Sequence, residues 1–401
     1  MSYNIALSGL KATSQDLNTI SNNIANQSTV GFRGGRSEFA AIYNGGQPGG
    51  VGVLSTSQNF ALSGNLTYTG RELDMGLQGD GFFVLNSQDG NTVYARAGMF
   101  IQDAEGNIVD PAGNKLQGYA TNNGLLQTGN VTDLTVQTSA LPAKATTDIG
   151  LVSNFDARVD EIDPVATPFD PDDASTFHSS NTVSVFDSLG SEHALTQYYV
   201  KTGSNSWDVQ FRMDGEDVTP AGGYNMTFDT DGNLTSASSL NLTITNPAII
   251  DGASALNFEV DYQSSTQYAA AYNNSSLSQN GYTSGELNGI RLDENGQLYG
   301  TYTNGQEQLQ GQVVLADFTN PNGLEPISNN AWAASNEAGQ PILGTPSTGT
   351  LGSLKGGYLE GSNVDATAEM VSLMTAQRNY QSNAKVLDTN STMQQALLNV
   401  I

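Results

Sequence analysis

Apolar and small residues mark one line along the last stretch of the chain. Ala366, Met370, Leu373, Gln377, Tyr380, Ala384, Leu387, Ser391, Gln394, Leu398 and Ile401 follow one another in steps of four and three. That spacing predicts an amphipathic helix over 362–401 with a coiled-coil seam. The stretch holds no Gly or Pro, in a chain with 44 Gly and 12 Pro. Ser362, three residues ahead of Asp365, is the expected N-cap. A helix of this kind needs something to cover its seam. The other end of the chain repeats the spacing in Leu7, Leu10, Ser14, Leu17, Ser21 and Ile24, with Ile20 beside them. The expectation is a helical domain built from 1–30 and 362–401, its two helices paired as a coiled coil. Ser and Gln on the seams make the pair marginal alone, so the helices should order on packing with other copies.

Between these ends the pattern changes twice. The Asn cluster Asn22-Asn23 and Asn26, then Gly31, is helix-stop chemistry. Segment 31–70 is rich in Gly, with Gly45-Gly46 and Pro48-Gly49-Gly50 as breakers, and reads as an irregular connecting or hinge segment. It holds one apolar island, Glu38 to Tyr43. From Arg71 the apolar positions alternate with period two, and Gly and Asn turns recur every eight to twelve residues, which predicts antiparallel strands. The texture breaks near residue 145 and returns after 284. The fold class expected is mainly β with α-helical termini. Its parts are a split inner β domain (71–145 plus 285–361) and an inserted outer β domain (146–284). Strands in the insert are predicted at 182–186, 194–200, 207–213, 224–228, 240–245 and 256–262.

Charge sharpens this division. The chain carries 14 basic and 40 acidic residues, a net of −26. Residues 141–284 hold 19 acidic against 4 basic, whereas both ends are nearly neutral. In a protein that packs many copies together, such a map puts the middle outside and the ends inside. It argues against a nucleic-acid surface. There is no cysteine, so thiolate chemistry is excluded. The first residues do not read as a cleavable signal peptide, and no apolar run is long enough to span a membrane.

Candidate chemistry is sparse. His178 and His193 are the two histidines, and neither has a motif partner. No nucleophile elbow, metalloprotease helix, phosphate loop or dinucleotide fingerprint is present, so the chain reads as no enzyme, with no cofactor or metal. Asp229 to Asn233 opens like a calcium loop but lacks the Gly and carboxylate that would complete it. Asp103, Asp231 and Asp293 precede Gly-containing turns, which explains them as turn residues.

Several of these stretches resemble the bacterial flagellar rod and hook proteins. They are Ser21 to Asn26 with Thr29-Val30-Gly31-Phe32-Arg33; Gly79-Asp80-Gly81-Phe82-Phe83; Glu360-Gly361-Ser362-Asn363-Val364-Asp365; Glu369-Met370-Val371; and the run from Ala376 to Ala384. Length, the insert and the run 308–318 fit the hook side of that family better than the distal rod side. The resemblance implies an extracellular structural subunit that self-assembles into a helical tube, a universal joint between rod and filament. Assembly would use Leu7, Leu10, Leu17, Ile24, Met370, Leu373, Tyr380, Leu387 and Leu398. Implied partners are other copies, the distal rod protein, a hook cap protein, a hook-filament junction protein and the flagellar type III export gate. Phe39 and Tyr43 resemble the export-recognition element of early substrates. The alternatives are a stiff distal rod subunit and a secreted β-rich adhesin.

Overall fold

A computed structural model describes residues 2–44, 47–122, 124–246 and 248–398. The Gly45-Gly46 breaker and the seam position Ile401 lie outside the described residues. The chain forms two compact units, one of residues 1–138, 288–301 and 307–401, the other of 139–287 and 302–306. The passage into the second unit therefore comes a few residues ahead of the break expected near 145.

The first unit begins with helix α1 (Ser2–Ala25). It stops where the sequence places a stop. The Asn26 amide donates to Asn22, in both its backbone and side-chain oxygens. Thr29 Oγ1 then donates to Asn26 Oδ1.

Next come strands β1 (Gly35–Asn44) and β2 (Gln47–Gln58), paired antiparallel. The irregular hinge expected over 31–70 is thus largely a long ribbon lying against α1. Gly50, expected as a breaker, instead serves close approach, and so does Gly52. A Cβ on Gly50 would sit 2.0 Å from Ser8 Oγ on α1, and one on Gly52 would sit 3.0 Å from Ile42. Irregular chain remains at 59–65, and it is tied down, as described below.

The rest of the β part is one large sheet, built from both halves of the chain, and two strand pairs, Met75–Gln78 with Ser353–Gly356 and Leu66–Tyr68 with Tyr358–Glu360. The path of the large sheet runs from Leu287–Leu292 through Gln297–Tyr302, Glu307–Val313, Lys115–Asn122, Phe82–Asn86, Thr92–Ala95 and Ala331–Ala333 to Glu325–Ile327. Phe82, Tyr94, Phe318 and Trp332 pack edge to face in its core, and Phe60 joins them. Such rings add about 0.5–1.5 kcal/mol per pair beyond burial. Trp332 Nε1 donates to Gln58 Oε1 at 2.7 Å, which ties the ribbon's end to the sheet. Helix α2 (Ala366–Leu398) closes the unit.

The second unit is two five-stranded sheets over a shared core of Phe155, Tyr199, Trp207, Phe211, Phe258 and Tyr262. All six strands predicted in the insert are present, within a few residues at their ends. Strand Asp148–Asp156 was not predicted, although it is central to its sheet and alternates buried and half-buried positions. Its inward residues are Ile149, Leu151, Ser153 and Phe155, and the Ser interrupts the apolar period.

Both histidines serve structure in this unit. His178 Nδ1 accepts from Lys201 N at 3.1 Å, and Nε2 lies 2.8 Å from Asp160 O. His193 Nδ1 lies 2.7 Å from Asp214 Oδ2. Among the described residues five turns share one device. An Asp Oδ1 accepts from the N–H groups two and four residues on, at Asp103, Asp110, Asp187, Asp229 and Asp293. In the loop that opens like a calcium site the working carboxylate is therefore Asp229, not Asp231, and it is satisfied by backbone donors.

Candidate functional site: the helix pair and its joint to the sheet

Three of the stretches that carry the resemblance meet at one buried point. Gly31 to Arg33 follows α1, Gly79 to Gly81 enters the sheet, and Glu360 to Asn363 leads into α2. Glu360 is fully buried, and so is Arg33, whose Nη2 donates to Glu360 Oε1 at 2.8 Å. Gly64 N donates to the same oxygen at 2.9 Å. Arg96 Nε lies 3.2 Å from Glu360 Oε2. The guanidinium of Arg96 also donates to the carbonyls of Gly79 and Gly81, and Arg33 Nη1 donates to Leu62 O. Burial, then repulsion from Arg33, pulls Arg96 down to about 10, while Glu360 and Asp80 oppose that fall. One carboxylate therefore holds two guanidinium groups inside the protein, and each is also bound to backbone from a different segment.

Gly31 locks the same point. Its N–H donates to Glu360 O at 2.7 Å. Its φ is +67°, and a Cβ would come within 2.6 Å of Ala97 N. Two asparagines extend the joint. Asn23 accepts from Gly35 N and donates to Gly35 O, both at 2.8 Å, and reaches Glu369 Oε1 on α2 at 3.0 Å. Asn363 accepts from Gly34 N and donates to the carbonyls of Asn59 and Leu62. Segment 59–64 is thereby strapped to both helix connectors.

α1 packs along α2. The most buried positions of the pair are alanines, Ile20 and an asparagine, not the leucines. On α1 the buried positions are Ala6, Ala12, Ile20 and Asn23. On α2 Ala376 is 2 % exposed, and Asn383 lies where a Cβ on Gly9 would meet it at 2.9 Å. The expected seam is thus displaced by one residue in alternate steps, through Ala376 and Asn383 instead of Gln377 and Ala384. Small side chains let the backbones approach, which the leucine spacing alone does not reveal. Leu7, Leu10, Leu17, Ile24, Leu373 and Leu387 are half-buried. Met370 and Tyr380 are exposed at 54 % and 37 %. Leu398 is the last helical residue. Phe39 and Tyr43 stand exposed on β1 at 44 % and 68 %.

The cap of α2 is Asp365, not Ser362. Asp365 Oδ1 accepts from Thr367 N at 2.8 Å and Ala368 N at 3.2 Å, whereas Ser362 Oγ only receives Val364 N. Asp365→Ala is expected to cost about 1 kcal/mol in urea unfolding. Ser362→Ala should stay within about 0.5 kcal/mol of the parent.

Family models match in chain order. A flagella basal body rod protein model covers 4–33 and a flagellar hook protein FlgE/F/G D1 domain 76–149. A flagellar basal body protein FlaE D2 domain covers 154–282, and a flagellar basal body rod FlgEFG C-terminal model 355–400. The flagellar hook protein FlgE of Escherichia coli K12 is 36 % identical over 405 residues, covering all of both chains. That of Salmonella typhimurium LT2 is 37 % identical over 410 residues, again over both full lengths. The chain belongs to the flagellar hook protein family. It is a hook structural subunit. A solved Helicobacter pylori hook protein, FlgE2, shares the fold at 15 % identity. Its TM-score is 0.58, over 73 % of the hook subunit and all of that chain.

Two members of the joint, Arg96 and Asn23, escaped the sequence reading as functional residues. Arg96 follows the apolar run Val93-Tyr94-Ala95, and a lone Arg after a strand carries no sign that it turns inward. Asn23 lies in the helix-stop cluster and in the Ser21 to Asn26 stretch, but neither shows that it bridges Gly35 and Glu369.

Proposed function

We propose that this hook subunit polymerises into a flexible, curved tube that passes torque from rod to filament outside the cell. The helix pair of 1–30 and 362–401 would form the inner layer, the sheet of the first unit the wall, and the acidic insert of 146–284 the exterior. The observation that carries this reading is the half-covered apolar surface of the helix pair: α1 and α2 meet on small residues and leave leucines and methionines for other copies. The Arg33–Glu360–Arg96 joint supports it too, since a tube that bends by sliding contacts needs stiff modules. Purified protein imaged near neutral pH in moderate salt should form curved tubes. Straight tubes would point to the distal rod reading, and no polymer at any concentration would remove both.

Copies that each carry a net charge of −26 repel one another. Polymerisation is therefore expected to strengthen as salt rises to about 0.5 M, where the Debye length falls below about 5 Å. Sedimentation across a salt series checks this, and steady weakening with salt would contradict it.

Export through the flagellar type III gate as an unfolded chain fits the marginal terminal helices and the lack of cysteine. Phe39 and Tyr43, four apart on β1, are the recognition element in this reading. Phe39→Ala is expected to leave the protein made but retained in the cell, as read by blotting cells and medium. Normal secretion would remove that assignment. Ends of the tube would meet the distal rod protein, the hook cap protein and the hook-filament junction protein.

A further inference from the structure

The β1–β2 ribbon has two faces. Gly50 abuts Ser8 of α1, and Ser37 Oγ lies 2.9 Å from Thr19 Oγ1, so the helix covers one side of the ribbon. Four apolar side chains of the ribbon are nonetheless left open: Phe39, opposite Val53 in the register, and Ile42 and Tyr43 beyond it, at 41–68 % exposure. The register slips between Glu38 and Phe39, leaving Leu54 as the extra residue of a bulge, 75 % exposed. The outer surface of the ribbon, the part α1 does not cover, is therefore apolar.

A second apolar patch lies on α2. Met370, Val371 and Met374 are exposed at 54–57 %. At 100° per residue they fall on the flank away from Ala376, which faces α1. Both patches are free of charge. No charged residue occurs from Phe39 to Gly70, nor between Glu369 and Arg378. In a chain this acidic, uncharged surfaces are where two copies can meet without repulsion.

We infer that the outer face of β1–β2 in one copy covers the Met370–Val371–Met374 flank of α2 in the next. The inference rests on the hook-subunit reading and specifies its contact. Symmetry selects this pairing over ribbon against ribbon. A patch that binds itself closes a two-fold dimer, whereas two different patches joined head to tail propagate a helix. The ribbon face supplies an aromatic ring and branched side chains, and the α2 flank supplies flexible methionines that fit them.

The chain has no cysteine, so cross-linking is unambiguous. A double variant, Leu54→Cys with Met374→Cys, is polymerised and oxidised, then run without reductant. The expected result is a ladder of covalent multimers. A mixture of the two single variants should give dimers only, and either single variant alone should stay monomeric. The inference is overturned if the double variant polymerises without a ladder, or if Leu54→Cys alone cross-links to itself. If the wild-type chain forms no polymer, the hook-subunit reading fails instead. Should the cysteines themselves prevent polymerisation, a charge pair decides. Leu54→Lys and Met374→Glu, each folded by circular dichroism, should each raise the critical concentration at least about tenfold, and together restore it. Single variants that polymerise like the parent overturn the contact.

Discussion

Glu360→Ala is expected to destabilise the first unit by about 3–5 kcal/mol, because it strands two buried guanidinium groups without their carboxylate. Arg33 is fully buried and Arg96 is 3 % exposed, so water cannot replace the lost charge without opening the core. Gly64 N–H also loses its acceptor, and the 59–64 strap loosens with it. Urea unfolding followed by tryptophan fluorescence reads this through Trp332, which packs beside Phe60 and Phe82. Glu360→Gln keeps the shape and some hydrogen bonds but not the charge, and should fall between parent and Ala. Replacing all three by apolar residues (Arg33→Met, Glu360→Leu, Arg96→Met) should cost less than Glu360→Ala, since no bare charge then remains. A Glu360→Ala protein within about 1 kcal/mol of the parent would show that the joint is not held by this carboxylate.

Gly31→Ala carries the second large effect. The left-handed backbone there costs an L-residue about 1–2 kcal/mol. A Cβ would also press on Ala97 N at 2.6 Å and on the Arg96 carbonyl carbon at 2.7 Å. Both are backbone atoms and cannot rotate away, so overpacking adds about 1–3 kcal/mol. Gly90 separates the two contributions. Its φ is +79° but nothing lies within 4 Å of its Cβ position, so Gly90→Ala should show only the conformational cost. Denaturation midpoints of the two variants, measured together, test this. Equal losses would mean that the close approach at Gly31 relaxes freely.

Much of the layout was legible from the residues. Helices at both ends, strands between them and a strongly acidic middle follow from period, breakers and charge, which are local properties of a string. The ribbon of 35–58 was not legible, because Gly50 and Gly52 look the same in a loop and in a strand pressed against a helix. The α2 cap was misplaced by three residues for a similar reason. Ser362 and Asp365 are both good caps, and the choice depends on where the chain leaves the sheet.

The joint makes the division plainest. The stretches Gly31 to Arg33, Gly79 to Gly81 and Glu360 to Asn363 each stood out along the chain, but their meeting did not. Periodicity records which face of one element is apolar and nothing about which distant element covers it. Burial of Arg33, Arg96 and Glu360 in one place arises only when segments from both chain ends and the sheet close together. Whether a charge sits in water or in the core is a property of that closure, and so is the contact of α1 with α2 through Gly9, Asn23, Glu369 and Asn383.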